Sequence, residues 1–104
     1  MTDVTTHVLD TASGRPAAGI EVSLHARRAD GQWTRLGGGR TDADGRTAGL
    51  AGSNGAQPGV HRLVFATRGV FFDEVAVAFT VAGEPHLHIP LLLSPYGYTV
   101  YRGS

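Results

Sequence analysis

The sequence contains no cysteine and no long apolar run. Because cysteine is absent, the chain has neither a disulfide framework nor a thiolate nucleophile. No segment approaches the ~20 consecutive apolar residues that a membrane-spanning helix needs. The first residues also lack the basic and apolar regions of a secretory signal peptide. We therefore expect a cytoplasmic protein that does not have a membrane as its partner.

Charge is also scarce, and neither sign predominates. Charged residues make up 17% of the chain, below the globular average of about 25%, and the formal net charge is zero. No basic stripe or basic tail is present, so nucleic acid is a poor candidate partner. A surface with few charges leaves area for contacts between subunits, and the apolar run Leu91–Leu93 supports the same interpretation. We expect an oligomer.

The sequence is rich in glycine and in short segments where apolar and polar residues alternate. Fifteen glycines in 104 residues argue against long helices, and the length fits one domain that spans residues 1–104. Apolar residues recur at every second position in Ile20–Ala26 and in Val75–Val81, which is typical of half-buried strands. The pattern predicts an all-β antiparallel sandwich or barrel of about eight strands. The predicted strands are Thr5–Asp10, Gly19–Arg28, Trp33–Leu36, Thr47–Leu50, Val60–Ala66, Glu74–Ala82, His86–Leu93 and Tyr98–Arg102.

Two histidines open one of these strands. His86 and His88 are two residues apart, so their side chains are predicted to share one face while Leu87 and Ile89 point to the other. Taken alone, the pair is most simply an exposed histidine and a buried one. With His7 as a third ligand, the pair could form a zinc hydrolase centre. No Asp or Glu with suitable spacing supports that alternative, and we expect neither a metal nor another cofactor.

Three motifs along the chain carry most of the information about function. The first is Thr6-His7-Val8-Leu9-Asp10-Thr11 followed by Gly14-Arg15-Pro16-Ala17, and the second is Thr41-Asp42-Ala43-Asp44-Gly45-Arg46. The third runs from His86 to Pro95 and is followed by the terminal Tyr-Arg-Gly-Ser of residues 101–104. In this combination and order the motifs resemble those of a known family, the transthyretin-like 5-hydroxyisourate hydrolases. The resemblance covers nearly the whole chain, and the third motif is the most specific.

The resemblance implies a fold, an assembly and an activity. The fold is a transthyretin-like, or prealbumin-like, antiparallel β-sandwich of two four-stranded sheets, and the assembly is a homotetramer with sites at subunit interfaces. The activity is hydrolysis of a cyclic amide bond, which opens the ring of 5-hydroxyisourate to 2-oxo-4-hydroxy-4-carboxy-5-ureidoimidazoline in urate degradation. We expect this reaction to need no cofactor.

The resemblance also implies which residues form the site. Two histidines would act as general acid and base, without a decision about which is which. An arginine would orient the planar ureide, whose carbonyl oxygens suit a guanidinium fork. The predicted catalytic residues are His7, Arg46 and His88, and the predicted substrate-binding residues are Tyr101, Arg102, Gly103 and Ser104.

The chain departs from the family in one segment. Family members usually carry a longer connection with a short helix where this chain has only Thr67–Asp73. We therefore expect that helix to be lost or reduced.

The alternative function is that of a carrier. A non-catalytic transthyretin-type protein binds a small aromatic ligand in a tetramer channel and lacks the two histidines, the arginine and the Tyr-Arg-Gly-Ser ending. This chain has all of them, which favours the hydrolase.

Overall fold

The computed structural model describes every residue from Met1 to Ser104, and it contains ten strands and no helix. This confirms the all-β prediction and the loss of the short helix. The strands are β1 (Asp3–Asp10), β2 (Arg15–Pro16), β3 (Glu21–Arg27), β4 (Trp33–Arg40), β5 (Arg46–Thr47), β6 (Gly59–Ala66), β7 (Val75–Val81), β8 (His86–His88), β9 (Leu91–Ser94) and β10 (Gly97–Val100). The structure therefore offers no helical segment that could span a membrane.

One sheet is regular. Its strand order is β4-β3-β6-β7, and every neighbouring pair is antiparallel. Alternate side chains point inward, as the sequence pattern predicts, so that Leu24 on β3 and Leu63 and Phe65 on β6 are fully buried. Burial of a side chain of this size stabilises the fold by about 1.5–3 kcal/mol.

The other sheet is built around β1. The order β10-β9-β1-β2 forms its main path, and β5 and β8 also pair with β1. The pairs of β1 with β8 and β9 are parallel, and Asp3 faces His86 as Val8 faces Leu91, an offset of 83 residues in both cases. The segment from His86 to Leu93 is therefore one extended run, interrupted at Pro90 because proline has no N–H to donate.

The two sheets share one hydrophobic core. Fourteen buried apolar residues form a single cluster that draws on both sheets. On β1 the side chains of Val4, Thr6 and Val8 point into it, and the Thr6 hydroxyl donates a hydrogen bond to the carbonyl of Ile89. Thr5 and His7 alternate with these residues and therefore lie on the outer face.

Several predicted boundaries were wrong. The sheets have six and four strands rather than four each, because β1 pairs along its length with four separate segments. The six-stranded sheet is also partly parallel. The third predicted strand continues through Gly37–Gly39 to Arg40. Glycine is required there, since a Cβ at Gly37 would lie 2.5 Å from the carbonyl oxygen of Leu50. The strand predicted at Thr47–Leu50 is only Arg46–Thr47, and the β2 pair was not predicted.

The shortened segment 67–73 closes as a tight loop. The Thr67 hydroxyl donates to the carbonyl of Phe72 at 2.7 Å, and the amide of Arg68 donates to the carbonyl of Asp73 at 2.8 Å. These bonds join the two ends of the loop directly, and the loop lies outside the cavity described below.

Candidate active site

Arg46 is held opposite His7 by the pairing of β5 with β1. The two residues are direct antiparallel partners, so their side chains emerge on the same outer face. The turn before β5 is fixed by Asp42, whose carboxylate oxygen accepts hydrogen bonds from the amides of Asp44 at 2.9 Å and Arg46 at 3.1 Å. The turn therefore delivers Arg46 in a defined register.

Gly45 allows this turn to lie against β1. Its φ of 76° is a conformation that glycine adopts without strain, and its carbonyl accepts a hydrogen bond from the amide of Val8 at 2.8 Å. A Cβ at this position would lie 2.5 Å from the Val8 carbonyl oxygen and 3.3 Å from Cδ2 of His7. The glycine is thus needed for the close approach of the turn to His7.

The parallel pairing of β1 with β8 brings Thr5 beside both histidines of the His-x-His pair. Thr5 is the direct partner of His88. Its Oγ1 lies 2.8 Å from Nε2 of His86 and 2.8 Å from Nδ1 of His88. The two imidazole rings share the outer face, with ring centroids 6.4 Å apart, while Leu87 is buried beneath them. The predicted orientation of the pair is therefore present.

The end of the chain packs against His88. The amide of Gly103 donates a hydrogen bond to the His88 carbonyl at 2.7 Å. A Cβ at Gly103 would lie 2.7 Å from Cδ2 of His88, which is closer than real side chains approach, and 3.1 Å from Cγ of Pro90. Only glycine therefore lets the backbone rest against this imidazole ring.

These elements surround a polar cavity of about 480 Å³. This volume lies within the range of about 300–1,000 Å³ that is usual for small-molecule sites. Only one hydrophobic residue contributes to its wall. The lining residues are Thr5, Thr6, Asp42, Arg46, Thr47, Ala48, His86, His88 and Ser104.

The structure brings only some of the predicted site residues to this cavity. Arg46, His88 and Ser104 line it, and His7 lies on the same outer face beside Arg46. Tyr101 and Arg102 instead line a separate, mainly apolar cavity between β7 and β10. Nη1 of Arg102 lies 3.8 Å from a carboxylate oxygen of Glu84. The catalytic and binding roles of all these residues stay predictions.

The surroundings of His88 favour its neutral form. Burial lowers the pKa of His88 below its usual value, and the positive charges of Arg46, His86 and His7 lower that pKa further. A neutral imidazole near neutral pH has a lone pair with which to accept a proton. The arrangement can therefore supply a base beside a fixed cation.

Thr5, Asp42 and His86 were not among the predicted functional residues. The turn motif contains Asp42, and an Asp two residues before a turn amide is a recognisable signal for this kind of cap. The contact of Thr5 with both rings depends on a parallel pairing between segments 83 residues apart. No local pattern in the sequence could have indicated it.

The structure contains no group of three or more His, Asp or Glu side chains placed to hold a metal ion. Nδ1 of His88 and Nε2 of His86 both lie within hydrogen-bond distance of the Thr5 hydroxyl, and the absence of a metal stays a prediction.

Comparison with known proteins agrees with the motifs. A sequence model described as the HIUase/Transthyretin family matches residues 4–103. The 5-hydroxyisourate hydrolase of Salmonella dublin is 43% identical over 107 residues, which cover 94% of this chain and 78% of that protein.

Two solved structures show the same fold. Sea bream transthyretin in complex with thyroxine superposes with a TM-score of 0.89 at 30% identity, covering 96% of this chain and 93% of that one. The 5-hydroxyisourate hydrolase of Klebsiella pneumoniae superposes with a TM-score of 0.84 at 33% identity, covering 100% of both chains. The predicted transthyretin-like sandwich is confirmed, and the chain belongs to the HIUase/Transthyretin family.

Proposed function

We propose that this protein is a hydrolase that opens the six-membered ring of 5-hydroxyisourate by breaking a cyclic amide C–N bond. The product is 2-oxo-4-hydroxy-4-carboxy-5-ureidoimidazoline, in the degradation of urate. The observation that carries the proposal is that Arg46 and His88 line one polar cavity sized for a small planar ring. The identity of the substrate is inferred from the related 5-hydroxyisourate hydrolases.

His88 is the better candidate for the general base. Hydrolysis needs a water that loses a proton near neutral pH, and burial together with nearby positive charge lowers the pKa of His88. Its Nδ1 is engaged by Thr5, so Nε2 is the nitrogen that can receive the proton. As the O–H bond of water breaks, its oxygen bonds to the amide carbon. General base catalysis of this kind contributes about 10²–10⁴-fold.

Arg46 is the candidate for stabilising the negative charge that develops on the carbonyl oxygen. Its side chain lines the same cavity as His88 and makes no salt bridge with any carboxylate. A guanidinium can also donate two parallel hydrogen bonds to the carbonyl oxygens of a planar ureide. Arg46 therefore both orients the ring and stabilises the tetrahedral intermediate.

His7 is the candidate for the acid. Collapse of the intermediate breaks the C–N bond, and the departing nitrogen must gain a proton. His7 lies on the outer face of β1, directly opposite Arg46 and two residues after Thr5, the partner of His88. One histidine gains a proton from water and the other gives a proton to nitrogen. At the end of each cycle the first histidine must release a proton to solvent and the second must take one up.

We also propose that the protein forms a homotetramer whose sites lie at subunit interfaces. The support is that β7 and β10 border one apolar cavity at the edge of the sandwich, and that Tyr101 and Arg102 do not reach the His88 cavity of their own chain. A neighbouring copy would then supply Tyr101 and Arg102 to the site. An active monomer in light scattering contradicts this assembly. The cytoplasmic location stays a prediction, which cell fractionation tests.

The test is the ultraviolet absorbance of freshly generated 5-hydroxyisourate with and without the protein. We expect rapid loss of the substrate signal, and nuclear magnetic resonance of the mixture should show the ring-opened product. Dialysis against a chelator should leave the rate unchanged, because the proposed steps use only side chains. A substrate that decays at the buffer rate while it binds the protein would support the carrier instead.

A further inference from the structure

We propose that Thr5 is a positioning residue that fixes the proton on His88, by accepting a hydrogen bond from its Nδ1–H while donating its own O–H to Nε2 of His86. The inference rests on the proposed function, because it assigns the base of that reaction its reacting nitrogen. Under it, the bare Nε2 of His88 faces the substrate.

The geometry links the two rings through one hydrogen atom. Thr5 Oγ1 lies 2.8 Å from a ring nitrogen of each histidine. A threonine hydroxyl carries a single proton, so it can donate to only one of two neutral rings and must accept from the other. The protonated nitrogen of His86 and that of His88 are therefore not independent, and Thr5 couples them.

Two features of the surroundings, the charge of Arg46 and the exposure of His86, favour the arrangement in which His88 is protonated at Nδ1. The Cδ2 edge of the ring is covered by Gly103, and Nδ1 is engaged by Thr5, so Nε2 is the only nitrogen left for the cavity. The positive charge of Arg46 acts on this ring, and a cation is attracted by a lone pair and repelled by an N–H. His86 is exposed, so its own Nδ1–H can bond to water.

No other side chain competes for the two rings. The titratable and charged groups around them are Asp3 and His7 on β1, Arg46 on β5, Asp42 in the preceding turn and the terminal carboxylate of Ser104. None of these makes a hydrogen bond or salt bridge to His86 or His88, and the only side-chain partner of both rings is Thr5. Removal of the Thr5 hydroxyl therefore releases both rings at once.

The test reads the protonated nitrogen directly, by long-range ¹H–¹⁵N correlation spectra of the full ¹⁵N-labelled chain above the histidine titration range. In the wild type we expect His88 to carry its proton on Nδ1 and to show a bare Nε2. Thr5→Ser keeps the hydroxyl and should keep this spectrum. Thr5→Val has the same shape without the hydroxyl and should shift His88 toward the Nε2–H form.

Turnover provides the second readout. With 5-hydroxyisourate, Thr5→Val should lower kcat by about 10–10³-fold with a small change in KM, because a ring in the wrong tautomer has lost the lone pair at its reacting atom. Thr5→Ser should restore most of the rate. The matched control is Thr34→Val, an exposed threonine of β4 in the other sheet, which should change neither the spectrum nor the rate.

Each outcome decides the inference. A wild-type His88 protonated at Nε2 overturns it, and this result needs no variant and no activity. A folded Thr5→Val with the wild-type tautomer and rate overturns it as well. If the wild type does not turn over the substrate but shows the expected tautomer, the proposed function fails while the placement of the proton stands.

Discussion

The sheet of β3, β4, β6 and β7 is antiparallel throughout, whereas the sheet centred on β1 mixes parallel and antiparallel pairs. Both have histidines and arginines on their surfaces. On the regular sheet His25 has a pKa lowered by burial and by the charges of Arg62 and Arg35, much as burial and Arg46 lower that of His88. A lowered histidine pKa therefore does not mark the site by itself.

The difference lies in what surrounds each histidine. The regular sheet also bears a cavity, of about 460 Å³, but no histidine is part of its wall. Strand β1 instead pairs with four segments, β2, β5, β8 and β9, and thereby brings all three sequence motifs to one face. The irregular pairing is what assembles the site, and the regular sheet serves as its support. The following predictions separate these two roles.

The largest expected effect is on stability and belongs to the supporting sheet. Phe65 on β6 is fully buried in the core, so Phe65→Ala should lower the free energy of unfolding by about 3–5 kcal/mol. Chemical denaturation measures this directly. The fraction that remains folded should turn over substrate at the wild-type rate, because Phe65 does not touch the His88 cavity. A lower rate per folded molecule would show that the two sheets do not separate in this way.

The next largest expected effect is a loss of catalysis, caused by a substitution in the irregular sheet. Arg46→Ala should lower kcat/KM by about 10²–10³-fold, the usual result of removing one group that stabilises a developing oxyanion. Its side chain is exposed, so the unfolding curve should change little. Arg40→Ala is the matched control, since Arg40 is an exposed arginine of β4 paired with Glu21. Equal rates for the two variants would remove Arg46 from the mechanism.

Gly103→Ala should have a smaller effect through the position of His88. The added methyl group would lie 2.7 Å from Cδ2 of the ring and must displace it. A displacement of about 1 Å can lower a rate on the order of 10²-fold. Gly97→Ala is the control, because a Cβ there meets its nearest atom, Oγ of Ser94, at an ordinary 3.6 Å. Steady-state kinetics of both variants, with melting curves, measures the contrast.

The smallest effect is a shift in the pH profile. The base works when His88 is neutral, and burial and positive charge lower its pKa, so kcat/KM should begin to fall only below the usual histidine value of about 6.5. Arg46→Gln removes one of the charges that disfavour protonation, so it should raise the pKa of His88 and move this acidic limb to higher pH. Titration of the His88 ring by nuclear magnetic resonance checks the sign, and a downward shift would contradict it.

The sequence predicted the regular sheet better than the irregular one for a physical reason. The alternation of apolar residues in Ile20–Ala26 and Val75–Val81 indicates strands with one buried face. Burial of that face is also what holds those strands in the sheet. The pairing partners of β1 depend on contacts between distant segments, so the split at Pro90, the short β5 and the parallel register were missed.

The candidate site was predictable only in part. The motifs identified Arg46, His88 and Ser104, all of which line the cavity. The motifs also placed Tyr101 and Arg102 in the site, and within their own chain both residues line the separate cavity beside β7. Their binding role stays a prediction. The direction of a side chain beyond a strand end is set by tertiary contacts, which a motif does not encode.

The most direct test of the account is the turnover of 5-hydroxyisourate by His88→Ala and His25→Ala, measured beside the wild type at equal concentrations of folded protein. Each variant removes one imidazole, and the two imidazoles come from different sheets. In both, burial and nearby arginines lower the pKa. We predict that His88→Ala loses about 10²–10⁴-fold in kcat and that His25→Ala keeps the wild-type rate. Near-wild-type turnover by folded His88→Ala, or an equal loss in both variants, would contradict the assignment of the chemistry to the sheet built around β1.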